Sequence, residues 1–229
     1  MEMSRRSLVT SAAVLPLLAL PGCAGGPGFN LVDAIRRLLS LSAQRAFASL
    51  IRENGFLDDQ LARVALPDAL GGETGGLIVS TILKSSAFRG RLTKQVNRAA
   101  EKGAEMAAPI VADAIRTVGV EDAVALVKGG PTAATDFLEG KMGLALVSAM
   151  LPGIDGGLKL FDSGIVTEAL KLTTGIDFAG LRDDVSLKAT KGIYRAMGRE
   201  ESAIRADPAS TQDPILIGVF GLAGQSGRG

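Results

Sequence analysis

One sulfur atom and a few polar side chains carry whatever chemistry this sequence holds. Cys23 is the single cysteine, and the 229 residues contain neither histidine nor tryptophan. Without imidazole there is no Ser–His–Asp triad and no histidine-ligated metal. A lone thiol makes neither an intrachain disulfide nor a cysteine zinc site. Tyr194 is the only tyrosine, so stacking surfaces for sugars or bases are scarce. Carboxylate- or lysine-based chemistry is what remains, and neither a cofactor nor a metal is expected.

The setting of Cys23 gives its thiol a specific use. It closes the run MEMSRRSLVTSAAVLPLLALPGC, in which Arg5 and Arg6 precede an uncharged stretch from Ser7 to Leu20. As a helix that stretch is too short for a hydrocarbon layer of ~30 Å, which takes roughly 20 residues. Leu20-Pro21-Gly22-Cys23 resembles the lipobox of bacterial lipoproteins, with an apolar residue three before the cysteine and a small one directly before it. Residues 1–22 therefore read as a signal peptide cleaved between Gly22 and Cys23, and Cys23 as the acceptor of a diacylglyceryl group. Each buried methylene contributes ~0.8 kcal/mol and one acyl chain binds only reversibly, so several chains on Cys23 would anchor the protein firmly. The membrane is thus the first expected partner. Ala24, standing where an inner-membrane sorting Asp would be, points to the outer membrane of the cell envelope. Ser4-Arg5-Arg6-Ser7-Leu8-Val9 also resembles a twin-arginine export motif, while the general secretory route uses the same two arginines simply as charge. Both routes stay open.

Removal of the signal leaves 23 basic and 23 acidic residues. That balance, with no dense Lys/Arg run, argues against nucleic acid as a partner. Two polar groupings stand out in the mature chain. Asn97, Arg98 and Glu101 fall on one helix, where Arg98 and Glu101 are spaced to pair across a turn and Asn97 to join them. They read as a small-ligand patch, as a helix-surface salt bridge, or as a buried network fixing helix packing, the last being the outcome expected. Lys128-Gly129-Gly130-Pro131-Thr132 places free backbone N–H groups before a helix start, where an anion would be favoured. The same residues suit a plain helix–helix turn capped by Thr132, and no P-loop pattern is present. The adjacent carboxylates Asp58-Asp59 and Asp183-Asp184 point to different faces and make no ready acid/base dyad.

The elements that must position these groups are helical. The sequence predicts a flexible lipidated tether over residues 23–30 and a single all-α helical bundle over 31–222, with a disordered tail at 223–229. Asn30 is placed to cap a first helix over about 31–53, ended by Gly55. A connector over 56–66 follows, closed by Pro67. The β-branched run Leu77–Leu83 is read as helix for want of a pairing partner. Residues 91–118 are helical, with Pro109 expected to break or kink the segment near Ala107. Short helices are expected over 120–128 and from Thr132. Met142–Leu151 is nearly uncharged, too short to span a membrane, and expected in the core, stopped by Pro152 and Gly153. Helices over 158–174 and 183–207 and a short apolar segment at 215–222 complete the chain.

Several local strings, in order, resemble the bacterial domain of unknown function 4197 family. They are Gly55-Phe56-Leu57-Asp58, Leu66-Pro67, Asn97-Arg98-Ala99-Ala100-Glu101, Ala108-Pro109-Ile110, Asp113-Ala114-Ile115, Glu121-Asp122-Ala123, and Gly129 with Ala133-Ala134-Thr135. Near the end, Glu200-Glu201, Ile204-Arg205, Asp207-Pro208 and Val219-Phe220-Gly221 continue the series. The resemblance covers about 31–138 and 183–221, and between Glu139 and Arg182 a Gly-rich apolar segment replaces it. It implies an exported, often lipidated helical envelope domain, and no established activity. The combined expectation is a non-enzymatic binding or scaffolding lipoprotein engaging an envelope protein. The alternatives are a carrier of a lipid or other apolar ligand along Met142–Leu181 and, third, a carboxylate-based enzyme.

Overall fold

The computed structural model describes residues 30–66, 85–159 and 178–225, and within them every regular element is helical. The signal peptide, Cys23 and its tether, the Leu77–Leu83 segment and the last four residues lie outside the described residues. The described residues form eight α-helices: α1 Leu31–Ile51, α2 Gly55–Asp58, α3 Ser86–Arg116, α4 Val120–Lys128, α5 Ala133–Met142, α6 Ala145–Leu158, α7 Phe178–Ala206 and α8 Pro214–Gln225. A 3-10 turn at Pro208–Thr211 joins the last two.

Asn30 caps α1 as its side chain type demands, its Oδ1 accepting the Val32 N–H at 3.1 Å. Helix α1 ends at Ile51, a turn earlier than Gly55 suggests, where Arg52 turns extended (ψ 158°), and Asn54 in the left-handed conformation (φ 62°) leads the chain into α2. The apolar face expected of α1 is the one it buries: Ile35, Leu38, Leu39, Phe47 and Leu50 lie against α3 and α7.

Two predicted interruptions are absent. Helix α3 runs unbroken through Pro109, and α6 through Pro152 and Gly153 to Leu158. A proline removes one N–H and leaves one carbonyl of the preceding turn without its partner. Pro109 and Pro152 both sit on exposed faces, and so does Glu105, whose carbonyl Pro109 leaves free for water. The expected break near Ala107 is replaced by burial: Gly103, Ala104, Ala107 and Val111 form one stripe facing the core.

That stripe receives α6 at close range. A Cβ on Gly153 would fall 2.4 Å from the Lys102 carbonyl oxygen, and one on Gly157 2.6 Å from the Ala99 Cα. Glycine at these positions lets two backbones touch, and Leu146, Met150, Ile154 and Leu158 of α6 are fully buried as a result. The weakly charged segment beginning at Met142 thus buries one face, while Leu144 is 74 % exposed, and residues 160–177 lie outside the described residues. Among the described residues no single helix is long and apolar enough to cross a membrane; α5 and α6 together are, but they meet at 77°.

Candidate binding cleft

Two buried polar knots and one half-exposed one fix the helices around one open cleft. The first lies at the turn between α4 and α5. Glu201 of α7 is fully buried, and its carboxylate accepts the N–H of Ala134 at 3.0 Å and of Thr135 at 2.7 Å. These are orphan amides of the first turn of α5, so a side chain from a distant helix does the work of an N-cap. Thr132, in the capping position, makes no such bond; its hydroxyl donates to Asp136 instead, at 2.9 Å. One turn along α7, Arg205 donates to Glu201 at 2.8 Å and to the carbonyls of Leu126 (2.9 Å) and Val127 (3.3 Å) at the end of α4. Its guanidinium also lies 4.8 Å from the centre of the Phe220 ring on α8. One i,i+4 pair thus ties off the end of α4, the start of α5 and the side of α8.

The helix start that follows the Lys128–Thr132 turn is consequently met by the protein's own anion. Glu201 occupies the Ala134 and Thr135 amides, just beyond the predicted Lys128–Thr132 turn, while Lys128, Gly129 and Gly130 are exposed and none of them touches the carboxylate. Sequence reasoning quoted Glu201 and Arg205 without giving them a role. The available signal was their i,i+4 spacing within a helix face otherwise made of Met197, Gly198 and Ile204.

The second knot separates the three residues predicted to form one patch. Asn97 is fully buried, accepts the Val64 N–H at 2.8 Å and donates to the Val64 carbonyl at 3.0 Å and to that of Thr93 at 2.7 Å. Its amide imitates a neighbouring strand and pins the connector 59–66 to α3. Glu101 is also buried and accepts a backbone N–H from Asn54; burial pushes its carboxyl above the ordinary range, against the opposing field of Arg98. Arg98 itself is exposed and reaches Glu53 at 3.9 Å. The expected buried Arg98–Glu101 pair is therefore corrected: the two residues flank a helix edge, and only the carboxylate turns inward.

The third knot ends at the cleft. Asp59 accepts the N–H groups of Leu61 (2.9 Å) and Ala62 (3.1 Å) and forms a bidentate pair with Arg199 of α7, at 2.7 and 3.3 Å. The hydrogen bonds from Arg199 hold the Asp59 carboxyl below its usual range. Beside this pair, α5 and α7 diverge from a contact in which a Cβ on Gly198 would fall 3.1 Å from the Thr132 methyl. The space between them is a cleft of about 380 Å³ lined by Leu61, Thr132, Asp136, Glu139, Tyr194, Arg195, Gly198, Arg199 and Ser202.

The chain's family is decided by its match to the family model for a protein of unknown function, DUF4197, which spans residues 28–221. The chain belongs to the DUF4197 family. No curated protein and no solved structure matches it. The DUF4197 match runs through 139–182, the interval where the recognisable strings lapse, so α6 belongs to the family domain as much as α3 does. The strings that carry the resemblance also meet in space: Ala133-Ala134-Thr135, Glu201, Arg205 and Phe220 build the first knot, and Asn97, Glu101 and Gly55-Phe56 lie around the second. Among the described residues no group of three or more acidic or sulfur ligands is placed to hold a metal. Cys23, Gly22, Arg5 and Arg6 lie outside the described residues.

Proposed function

We propose that this protein is a membrane-anchored lipoprotein of the bacterial cell envelope, exported by its N-terminal signal and held by lipid on Cys23, whose helical domain is a non-enzymatic binding module. The observation that supports a binding role is the contrast between the knots and the cleft. Buried polar groups are matched to one another almost throughout, which makes a stiff frame. The cleft between α5 and α7 instead presents Asp136, Glu139 and Arg195 with no partner of opposite sign among the described residues.

The carrier reading finds less support. Of the Met142–Leu181 segment on which that reading relied, Leu146, Met150, Ile154 and Leu158 are packed in the core beside α3, and residues 160–177 lie outside the described residues. An open groove of about 300 Å³ between α1 and α3, lined by Ala43, Phe47, Ala108 and Ile115 among others, is shallow and far smaller than a lipid with two acyl chains.

Intact mass and membrane fractionation test the anchor. The wild-type protein should begin at Cys23 with acyl mass and partition with the membrane, outer before inner, and Cys23→Ser should lose both the acyl mass and membrane retention. Wild-type protein beginning at Ala24 or later without added mass would overturn the anchor. Replacing Arg5 and Arg6 with Lys should stop export by the twin-arginine route and leave the general secretory route working; unimpaired export would assign the latter.

A further inference from the structure

Side-chain bonds trace which parts of the chain share the end where α1 begins. Arg36, on the second turn of α1, donates to the Val118 carbonyl at 2.7 and 3.1 Å, so the start of α1 and the end of α3 lie together. Lys141, on the last turn of α5, donates to the carbonyl of the neighbouring Thr117 at 3.0 Å. Helix α6 then runs back along α3, with Gly153 against Lys102 and Gly157 against Ala99, so its first residues also lie toward the end of α3. The elbow between α5 and α6 is therefore at the end where the chain arrives from Cys23.

Two features of this elbow suit an apolar surface that bears negative charge. Gly143, at φ 51°, turns the chain so that α5 and α6 meet at 77°. Leu144, directly after it, is the most exposed large apolar side chain among the described residues. One turn earlier, the exposed Lys141 ammonium has only the Thr117 carbonyl and the face of the Phe137 ring, 5.7 Å from its centre, and meets no carboxylate among the described residues. An exposed leucine beside a lysine without an acidic partner is poorly suited to water alone. At a lipid surface the leucine enters the acyl boundary while the long lysine stem keeps its charge at phosphate depth.

The length of the tether determines which surface the elbow meets. Cys23 and Asn30 are seven residues apart, and seven residues reach at most about 25 Å. Lipid on Cys23 keeps the start of α1 within that distance of the bilayer, whereas the far end of this 21-residue helix lies about 30 Å away along its axis. So short a tether makes any contact at the near end intramolecular, at roughly millimolar effective concentration, and a small contact area then suffices. We infer that the α5–α6 elbow is a membrane-contact site, with Leu144 in the acyl boundary of the leaflet that holds Cys23 and Lys141 on a lipid phosphate. The contact rests on the lipid anchor proposed above and turns α2, at the far end of α1, away from the bilayer.

The test puts an environment-sensitive dye on the acylated full-length protein in vesicles of phosphatidylethanolamine with phosphatidylglycerol. Lipidation makes the Cys23 sulfur a thioether, so Leu144→Cys and, beyond the opposite end of α1, Glu53→Cys each supply one free thiol. Intact mass first checks the acyl group. The dye at position 144 should emit to the blue and be quenched severalfold less by aqueous iodide than the dye at 53, and brominated lipid should quench it alone. Ala145→Cys, also exposed on the elbow, should repeat the result from a second position. Adding Lys141→Glu to Leu144→Cys should raise iodide quenching, more in vesicles with phosphatidylglycerol than in phosphatidylcholine alone. Equal iodide quenching at 53, 144 and 145 in acylated protein would overturn the elbow contact and leave the anchor standing. Indifference to Lys141→Glu would remove the phosphate contact. Protein without acyl mass would overturn the anchor and the elbow contact with it.

Discussion

The start of α5 and the face that looks onto the cleft handle charge in opposite ways. At its start, the amides of Ala134 and Thr135 are met by the buried carboxylate of Glu201, itself held by Arg205, so the helix terminus is closed to any outside anion. Directly after Thr135, Asp136 and then Glu139 face an open cleft in which, among the described residues, the cation without an acidic partner is Arg195. Matched buried charge fixes how helices sit, whereas unmatched exposed charge leaves a place for something else. A glycine-rich turn before a helix therefore does not make an anion site when the chain supplies the anion itself.

The largest expected effect probes the closed end. Glu201→Ala strands Arg205 and two amides in the interior, and removing one partner of a buried pair typically costs about 3–5 kcal/mol. Chemical denaturation should show a loss of that order, and a loss below about 1 kcal/mol would mean that Glu201 is not buried as described. Changing both partners, Glu201→Met with Arg205→Met, should recover part of the loss, because a matched apolar pair strands no charge.

Next in size is the Asn97 clip. Asn97→Ala leaves the Val64 N–H and carbonyl without partners, which should cost about 1–3 kcal/mol and increase proteolysis of the connector 59–66. Unchanged stability would show that the connector does not depend on α3.

The pH response separates two carboxyls with opposite shifts. Asp59, lowered by its Arg199 hydrogen bonds, adds stability above its ordinary value of 3.8 that disappears as pH falls through the depressed native value. Glu101, raised by burial, behaves in the reverse sense. The native state holds its proton more tightly than the unfolded chain, so its contribution is fullest below 4.5 and declines as pH climbs through the raised native value. Melting curves of Glu101→Gln should decline less than wild type on the rising side, and those of Asp59→Asn should fall less steeply on the acid side. Identical profiles for the two variants would erase the distinction.

Smallest is Arg98→Ala. Exposed pairs contribute about 0.2–1 kcal/mol, so a barely measurable change is expected. A loss of several kcal/mol would return Arg98 to the interior alongside Glu101.

The helical class, the core membership of α6 and the capping role of Asn30 were legible because each follows from periodicity or from a local side-chain preference. Pro109 and Pro152 misled because the rule for proline concerns a lost hydrogen bond, and exposure of that face decides whether water replaces it. Arg98 and Glu101 were assigned to each other from i,i+3 spacing alone. Spacing gives reach, but which face turns inward depends on α1 and the connector, to which both residues are non-local. The cleft was invisible for the same reason: Leu61, α5 and α7 supply its walls from three distant stretches of chain. Tyr194 was noted only as a rarity among the residues. Its unpartnered hydroxyl exists only once those stretches have met.

Glu201's bonds to Ala134 and Thr135 have a consequence for hydrogen exchange. The first amides of a helix ordinarily exchange with solvent as the end frays, since nothing within the helix holds them. Here the acceptor sits 66 and 67 residues later in the chain, on α7. These two protons can leave only when α5 and α7 part, an event that also releases Arg205 from α4. The first turn of α5, normally the quickest part of a helix to exchange, should thus be a slow reporter of a cooperative opening shared by three helices.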